Sequence, residues 1–151
     1  MLALVQRVSN ASVRVEGTEV GAIGRGLCVL LCAVEGDTEA EASWMAGKLA
    51  RLRIFPNEAG QFDRSVQDIE GSILLVSQFT LVGDCRKGNR PSFTHAAAPE
   101  VAEPLLNSVA QLLREEHQVP VACGRFQAAM KVQLENDGPV TLMVQTSSSE
   151  N

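Results

Sequence analysis

The sequence predicts an α+β fold, with two helices among seven or so mostly antiparallel strands. Three observations carry this. The N-terminal residues alternate and then turn back, as a hairpin does. The run 27–34 is apolar throughout, as in a strand buried on both faces. Two later segments carry apolar residues at helical spacing.

The elements follow in order. Ala3, Val5 and Arg7 alternate with Leu4, Gln6 and Val8. Val13 and Val15 lead into Glu16-Gly17-Thr18-Glu19, a turn signal, followed by Val20, Ala22 and Ile23. After the run 27–34, Thr38 stands three residues before Glu41, a capping box that opens a helix. Ala42, Met45, Ala46, Leu49 and Leu52 form its apolar stripe, and Trp44 on it reads as core or interface. Pro56-Asn57 and Gly60 mark a loop. Ile73-Leu74-Leu75-Val76 is a short buried strand running into Ser77-Gln78-Phe79-Thr80. A second helix is predicted from Pro99 to His117, with proline suited to its first turn. Strands return at Val119–Cys123, Met130–Leu134 and Thr141–Thr146. Asn136-Asp137-Gly138-Pro139 separates the last two and reads as a turn. Residues 1–146 thus form one domain, and 147–151 read as a polar tail.

Composition narrows the function. The chain has 151 residues, 45% hydrophobic and 21% charged, which suits a soluble globular domain and excludes collagen-like or largely disordered chains. No apolar run approaches the roughly 20 residues that cross a bilayer. The first residues lack the basic start of a signal peptide, so the expected location is cytoplasmic, with no membrane partner. A net charge of −5 argues against a long nucleic-acid footprint but permits contact with one end of a nucleic acid. Arg86, Lys87 and Arg90 form a local basic cluster. Cys28, Cys32, Cys85 and Cys123 include no CxxC pair; Cys28 and Cys32, in the apolar run, read as small buried hydrophobes, no histidine lies near enough to suggest a zinc site, and neither metal nor cofactor is expected.

No dinucleotide, phosphate-loop or metalloprotease motif is present, and two histidines, His95 and His117, leave little room for a hydrolytic triad. Two segments hold possible chemistry. Ser77-Gln78-Phe79-Thr80 ends a buried strand, where hydroxyls, an amide and backbone N–H groups could cradle an oxyanion. In Asn136-Asp137-Gly138-Pro139-Val140-Thr141 the proline fits a plain hairpin poorly, because it removes a ladder donor. A Gly-Pro bond can also be cis.

These two segments resemble the signature motifs of the D-aminoacyl-tRNA deacylases of the bacterial and eukaryotic type. Ala3-Leu4-Val5-Gln6-Arg7-Val8 is similar to that family's first strand, and Arg86 to Phe93 to its basic loop. Gly124, Phe126, Ala128 and Met130 follow its Gly-x-Phe-x-Ala-x-Met pattern. The resemblance spans Met1 to Thr146. It implies a barrel-like, mostly antiparallel sheet with two main helices, assembled as a homodimer. It implies hydrolysis of the ester between a D-amino acid and the 3′-terminal adenosine of tRNA, with mischarged glycine also a substrate. Gly138 and Pro139 would form a cis peptide inserted into the partner's pocket, excluding an L side chain. Gln78 and the Phe79 N–H would contact the reacting carbonyl beside Ser77, and the substrate's 2′-hydroxyl would assist water. Thr80 would orient groups in the pocket; the alternative makes it a nucleophile, but no base is evident to activate it. Phe126 and Met130 would line the adenine pocket, and Arg86, Lys87 and Arg90 would approach the terminal phosphates. Gln61-Phe62-Asp63-Arg64 departs from the family's Lys-Met-Asn, which puts a basic contact at Gln61 in doubt. The competing readings are a non-catalytic dimer that binds the tRNA end and a hydrolase of other small acyl esters.

Overall fold

The computed structural model describes residues 1–147. Of the expected polar tail, residues 148–151 lie outside the described residues. The elements are β1 (Leu2–Val15), β2 (Thr18–Ile23), β3 (Gly26–Cys32), α1 (Glu39–Arg51), β4 (Phe55–Pro56), β5 (Phe62–Arg64), β6 (Ser72–Ser77), a 3-10 turn (Phe79–Val82), α2 (Pro99–Glu115), β7 (Val121–Cys123) and β8 (Lys131–Gln145).

The main sheet runs β2-β1-β3-β6-β7, and β8 also pairs with β1. Pairings of β1 with β2, β3 and β8 are antiparallel, whereas β3–β6 and β6–β7 are parallel. The parallel pairs were not legible locally, because α1 and α2 supply the crossovers that parallel strands require. Glu16 and Gly17, both at positive φ (50° and 78°), make the tight turn that joins β1 to β2.

β3 alternates between two cores, which explains its uninterrupted apolar sequence. Leu27, Val29 and Leu31 face the helices, with Met45 and Leu49 of α1 and Leu105, Val109 and Leu113 of α2. Cys28 joins Val8, Val13, Leu74 and Val76 on the opposite face. That second core lies inside the curl of the sheet. β2 approaches β7 there so closely that a Cβ on Gly21 would sit 2.7 Å from the Cys123 carbonyl oxygen. A nearly closed, barrel-like sheet results.

The first helix begins as expected. Thr38 Oγ1 accepts from the Ala40 N–H, and the Thr38 N–H donates to Glu41. Four expectations change. Trp44 is 44% exposed on the outer face of α1, beneath the Lys48 ammonium, and is not core. α2 stops at Glu115, and β7 begins at Val121. The 55–64 loop is pinned by a two-stranded ribbon, β4–β5. The largest change concerns 136–139, which is no hairpin turn. β8 runs straight through it beside β1, and the extra residues bulge out. Gln6 pairs with Thr141 and Val8 with Asn136, so Arg7 alone faces Asp137, Gly138, Pro139 and Val140.

The Met1 ammonium is buried between Asp37 Oδ1 (2.9 Å) and Thr146 Oγ1 (2.6 Å), while Asp37 Oδ2 accepts from the Val34 N–H. This pair ties β1 to the start of α1. Asp37→Ala would remove the carboxylate that faces this buried ammonium, and urea unfolding should show a loss of about 3–5 kcal/mol. No helix is long and apolar enough to cross a membrane among the described residues.

Candidate active site

The site forms at the C-terminal end of β6, where a strand buried between two parallel neighbours must leave the sheet. Ser77 pairs with Leu31, and the Gln78 N–H donates to the Leu31 carbonyl at 2.9 Å. Beyond this the chain tightens into the 3-10 turn, which closes through a hydrogen bond from the Gly83 N–H to the Thr80 carbonyl (3.0 Å). The Gln78 side-chain amide donates to the Thr80 hydroxyl. Phe79 is 59% exposed and meets Phe93 edge to face, ring centres 5.3 Å apart.

Opposite stands the 124–130 loop. The Gly124 N–H donates to the Leu75 carbonyl at 2.9 Å, which holds the loop beside β6. Met130 does more than fill space, because its Sδ accepts from the Arg125 N–H at 3.4 Å. A Cβ on Gly124 would lie 2.6 Å from that sulfur, so any side chain there would displace the Met130 thioether. Phe126 rides on this closed loop.

Between the two segments lies a cavity of about 610 Å³. Ser77, Gln78, Phe79, Phe126 and Met130 all line it, with Cys32 and Phe93. Five predicted site residues thus converge from distant parts of the chain. Thr80 does not line the cavity and reaches it only through Gln78. Burial pushes the Cys32 thiol up to about 11, which disfavours the thiolate at neutral pH. Its S–H donates to the Phe79 carbonyl at 3.6 Å. His95 lines a separate, open groove of about 860 Å³ with Asp84 and Arg86. Among the described residues no three metal-binding side chains gather.

The basic cluster divides. The Asp84 and Ser92 backbones bond to each other (2.8 and 3.0 Å) and close the loop between them. Arg86 bonds to both carboxylate oxygens of Asp84, at 2.9 and 2.7 Å. Those bonds hold the Asp84 carboxyl well below the usual range. Arg86 is therefore engaged within its own loop, while Lys87 and Arg90 stand exposed on it.

Gly138 and Pro139 do not line the cavity of their own chain. They lie exposed on the β8 bulge, joined by a cis peptide bond, with Gly138 at φ +133°. Arg7 beneath them went unnoticed in the sequence. It is 8% exposed, and its guanidinium donates from Nε to the Asp137 carbonyl (2.9 Å) and from Nη1 to the Ile54 carbonyl (2.7 Å). One signal was available: Ala3, Val5 and Arg7 share a strand face, and a charge in a buried row needs a reason.

A cavity edged by oriented donors, beside an aromatic shelf and without a nucleophile–base pair, is suited to an acyl-ester hydrolase that works by positioning. Comparisons agree with that class. The family model for D-Tyr-tRNA(Tyr) deacylase matches residues 4–145. The D-aminoacyl-tRNA deacylase of Heliobacterium modesticaldum is 56% identical over the full length of both chains. That of Geobacter sulfurreducens is 55% identical, covering 98% of this chain and 97% of its own. A solved structure of a c-Myc DNA Unwinding Element Binding Protein superposes with a TM-score of 0.91 at 44% identity, over 97% of this chain and 99% of that one. A probable eukaryotic D-amino acid tRNA deacylase shares the fold, with a TM-score of 0.83 at 21% identity, over 95% of this chain and 97% of that one. The chain belongs to the D-aminoacyl-tRNA deacylase family.

Proposed function

We propose that this chain hydrolyses the ester joining a D-amino acid, or mischarged glycine, to the 3′-terminal adenosine of tRNA, and that it does so as a homodimer. The observation that carries the reading is the separation of the two signature segments. The donors line a cavity, whereas Gly138 and Pro139 project from the opposite pairing edge of β1 and line no part of it. A cavity left open at one side and an exposed bulge on the same chain complete each other in a second copy.

In that assembly Phe126 and Met130 take the adenine by stacking and soft apolar contact. The Phe79 N–H and the Gln78 amide face the ester carbonyl and stabilise its developing charge. Water attacks with help from the substrate's own 2′-hydroxyl. The partner's bulge holds the α-amino group with its carbonyls and leaves no volume for an L side chain. Hydrogen and glycine's second hydrogen fit there equally. Lys87 and Arg90 reach the terminal phosphates, with Arg86 stiffening their loop. The site lies in the cytoplasm, where charged tRNA is found.

Release of labelled tyrosine from matched D-Tyr-tRNA and L-Tyr-tRNA tests this, with fast release from the D form alone expected. Release from neither form, or equally from both, overturns it. The orienting role of Thr80 gives a separate expectation. Thr80→Ala should retain measurable turnover, reduced by roughly tenfold, as for loss of one auxiliary hydrogen bond. A dead variant, together with an acyl-enzyme trapped in the wild type, would make Thr80 the nucleophile instead.

The name of the c-Myc DNA Unwinding Element Binding Protein favours a second reading, nucleic-acid binding without turnover. Its mark would be tight binding of uncharged tRNA with a steep salt slope and no hydrolysis. The net charge of −5 opposes it.

A further inference from the structure

Phe62 stands on β5 and is 57% exposed, although nothing in the mechanism above uses it. An exposed aromatic ring on a short ribbon needs a physical reason. Its ring centre lies 5.6 Å from the guanidinium carbon of Arg7. That guanidinium in turn holds the Asp137 carbonyl and lies against Gly138, where a Cβ would be 3.2 Å from Nη2. Phe62, Arg7 and Gly138 therefore stand in sequence from the β4–β5 ribbon to the bulge.

We propose that Phe62 is a positioning residue for chiral selection: its ring face fixes the Arg7 guanidinium, and through it the bulge at Gly138. This inference rests on the proposed function. The reasoning is electrostatic and steric. A guanidinium over a ring face is held by the ring quadrupole, which an aliphatic side chain of similar size lacks. Arg7 already spends two N–H groups on the Asp137 and Ile54 carbonyls, so rotation of its plane would break both. The ring blocks that rotation and limits access of water to this face. The carbonyls of 137–139 then keep one orientation, which discrimination by a clash requires. The ribbon is suited to this task, since Phe62 is paired with Pro56, and Arg53 bonds to the Asp63 backbone and side chain at its base.

The test is the ratio of D-Tyr-tRNA to L-Tyr-tRNA hydrolysis in the full-length protein. Phe62→Leu should lower that ratio by about 3- to 30-fold, chiefly through more release from the L form. Phe62→Tyr keeps the ring face and should restore the ratio. In an Arg7→Lys background Phe62→Leu should add nothing, because the group it acts through is gone. Thermal unfolding of each variant shows whether the fold is kept, and an equal ratio loss in a folded Phe62→Tyr overturns the inference, since the ring face is still there. D-selective release by the wild type with an unchanged ratio in Phe62→Leu overturns this inference alone. A Phe62→Leu effect that persists fully in Arg7→Lys also overturns it, since the ring would then touch substrate directly. No D-selective release by the wild type overturns the function and this inference together.

Discussion

Gly138→Val should abolish release of tyrosine from D-Tyr-tRNA, by at least about 100-fold, while the protein stays folded. The reason is local. Gly138 adopts φ +133°, which side-chain-bearing residues rarely reach, and a Cβ there would lie 2.9 Å from the Val140 nitrogen and 2.9 Å from its Cγ2. Neither can yield cheaply, because Val140 leads straight back into pairing at Gln6–Thr141. The backbone must therefore move, at a cost of about 1–3 kcal/mol. Such a cost is tolerable to a chain of this size, since Gly138 and Pro139 are exposed and belong to neither core. In the proposed assembly, where the site sorts substrates by one hydrogen against one side chain, a displaced bulge is not tolerable. Single-turnover release and thermal unfolding, measured together, separate the two consequences. Wild-type turnover in Gly138→Val would show that the bulge does not enter the site.

Arg7→Ala should weaken both stability and chiral selection. The side chain is nearly buried and anchors two carbonyls, those of Asp137 and Ile54. Each unpaired carbonyl costs about 1–3 kcal/mol, so urea unfolding should show a loss of roughly 2–5 kcal/mol. The bulge loses its floor at the same time, and release from L-Tyr-tRNA should rise. Arg7→Lys should recover part of the stability but little of the selectivity. A lysine offers a single point charge on a flexible stem, whereas the fork reaches two acceptors in fixed directions. Full selectivity in Arg7→Lys would mean that charge alone holds the bulge.

The legible part of this protein was local. Alternation in 3–8, the doubly apolar run 27–34, the Thr38–Glu41 cap and the two apolar stripes each depend on neighbours within one turn or strand. They located six of the eight strands and both helices closely enough to place the site at the end of β6. The shift of the helix end from His117 to Glu115 follows the same logic, because helix ends are set by weak terminal bonds. Ser77 to Phe79 and Phe126 to Met130 were recognisable by their residue pattern, and folding brought them to one cavity.

Other features depended on distance. The 136–139 segment has turn chemistry, and it would turn if β8 had only itself to consult. β1 is long enough to pair with residues on both sides of it, so the ladder resumes beyond the bulge and the segment is extruded instead. Arg7 became meaningful only when the Asp137 and Ile54 carbonyls, remote in sequence, came within reach of its guanidinium. Arg86 looked equivalent to Lys87 and Arg90 until the loop closed and both carboxylate oxygens of Asp84 took one edge of its guanidinium. The sequence by itself determined which segments are strands and helices, since these follow from short-range periodicity and residue type, and it carried the two motifs that resemble the family's. Tertiary structure alone decided that the two signature segments stand apart on one chain and that a buried arginine sets the bulge. Both depend on register between strands more than a hundred residues apart, which no local pattern specifies.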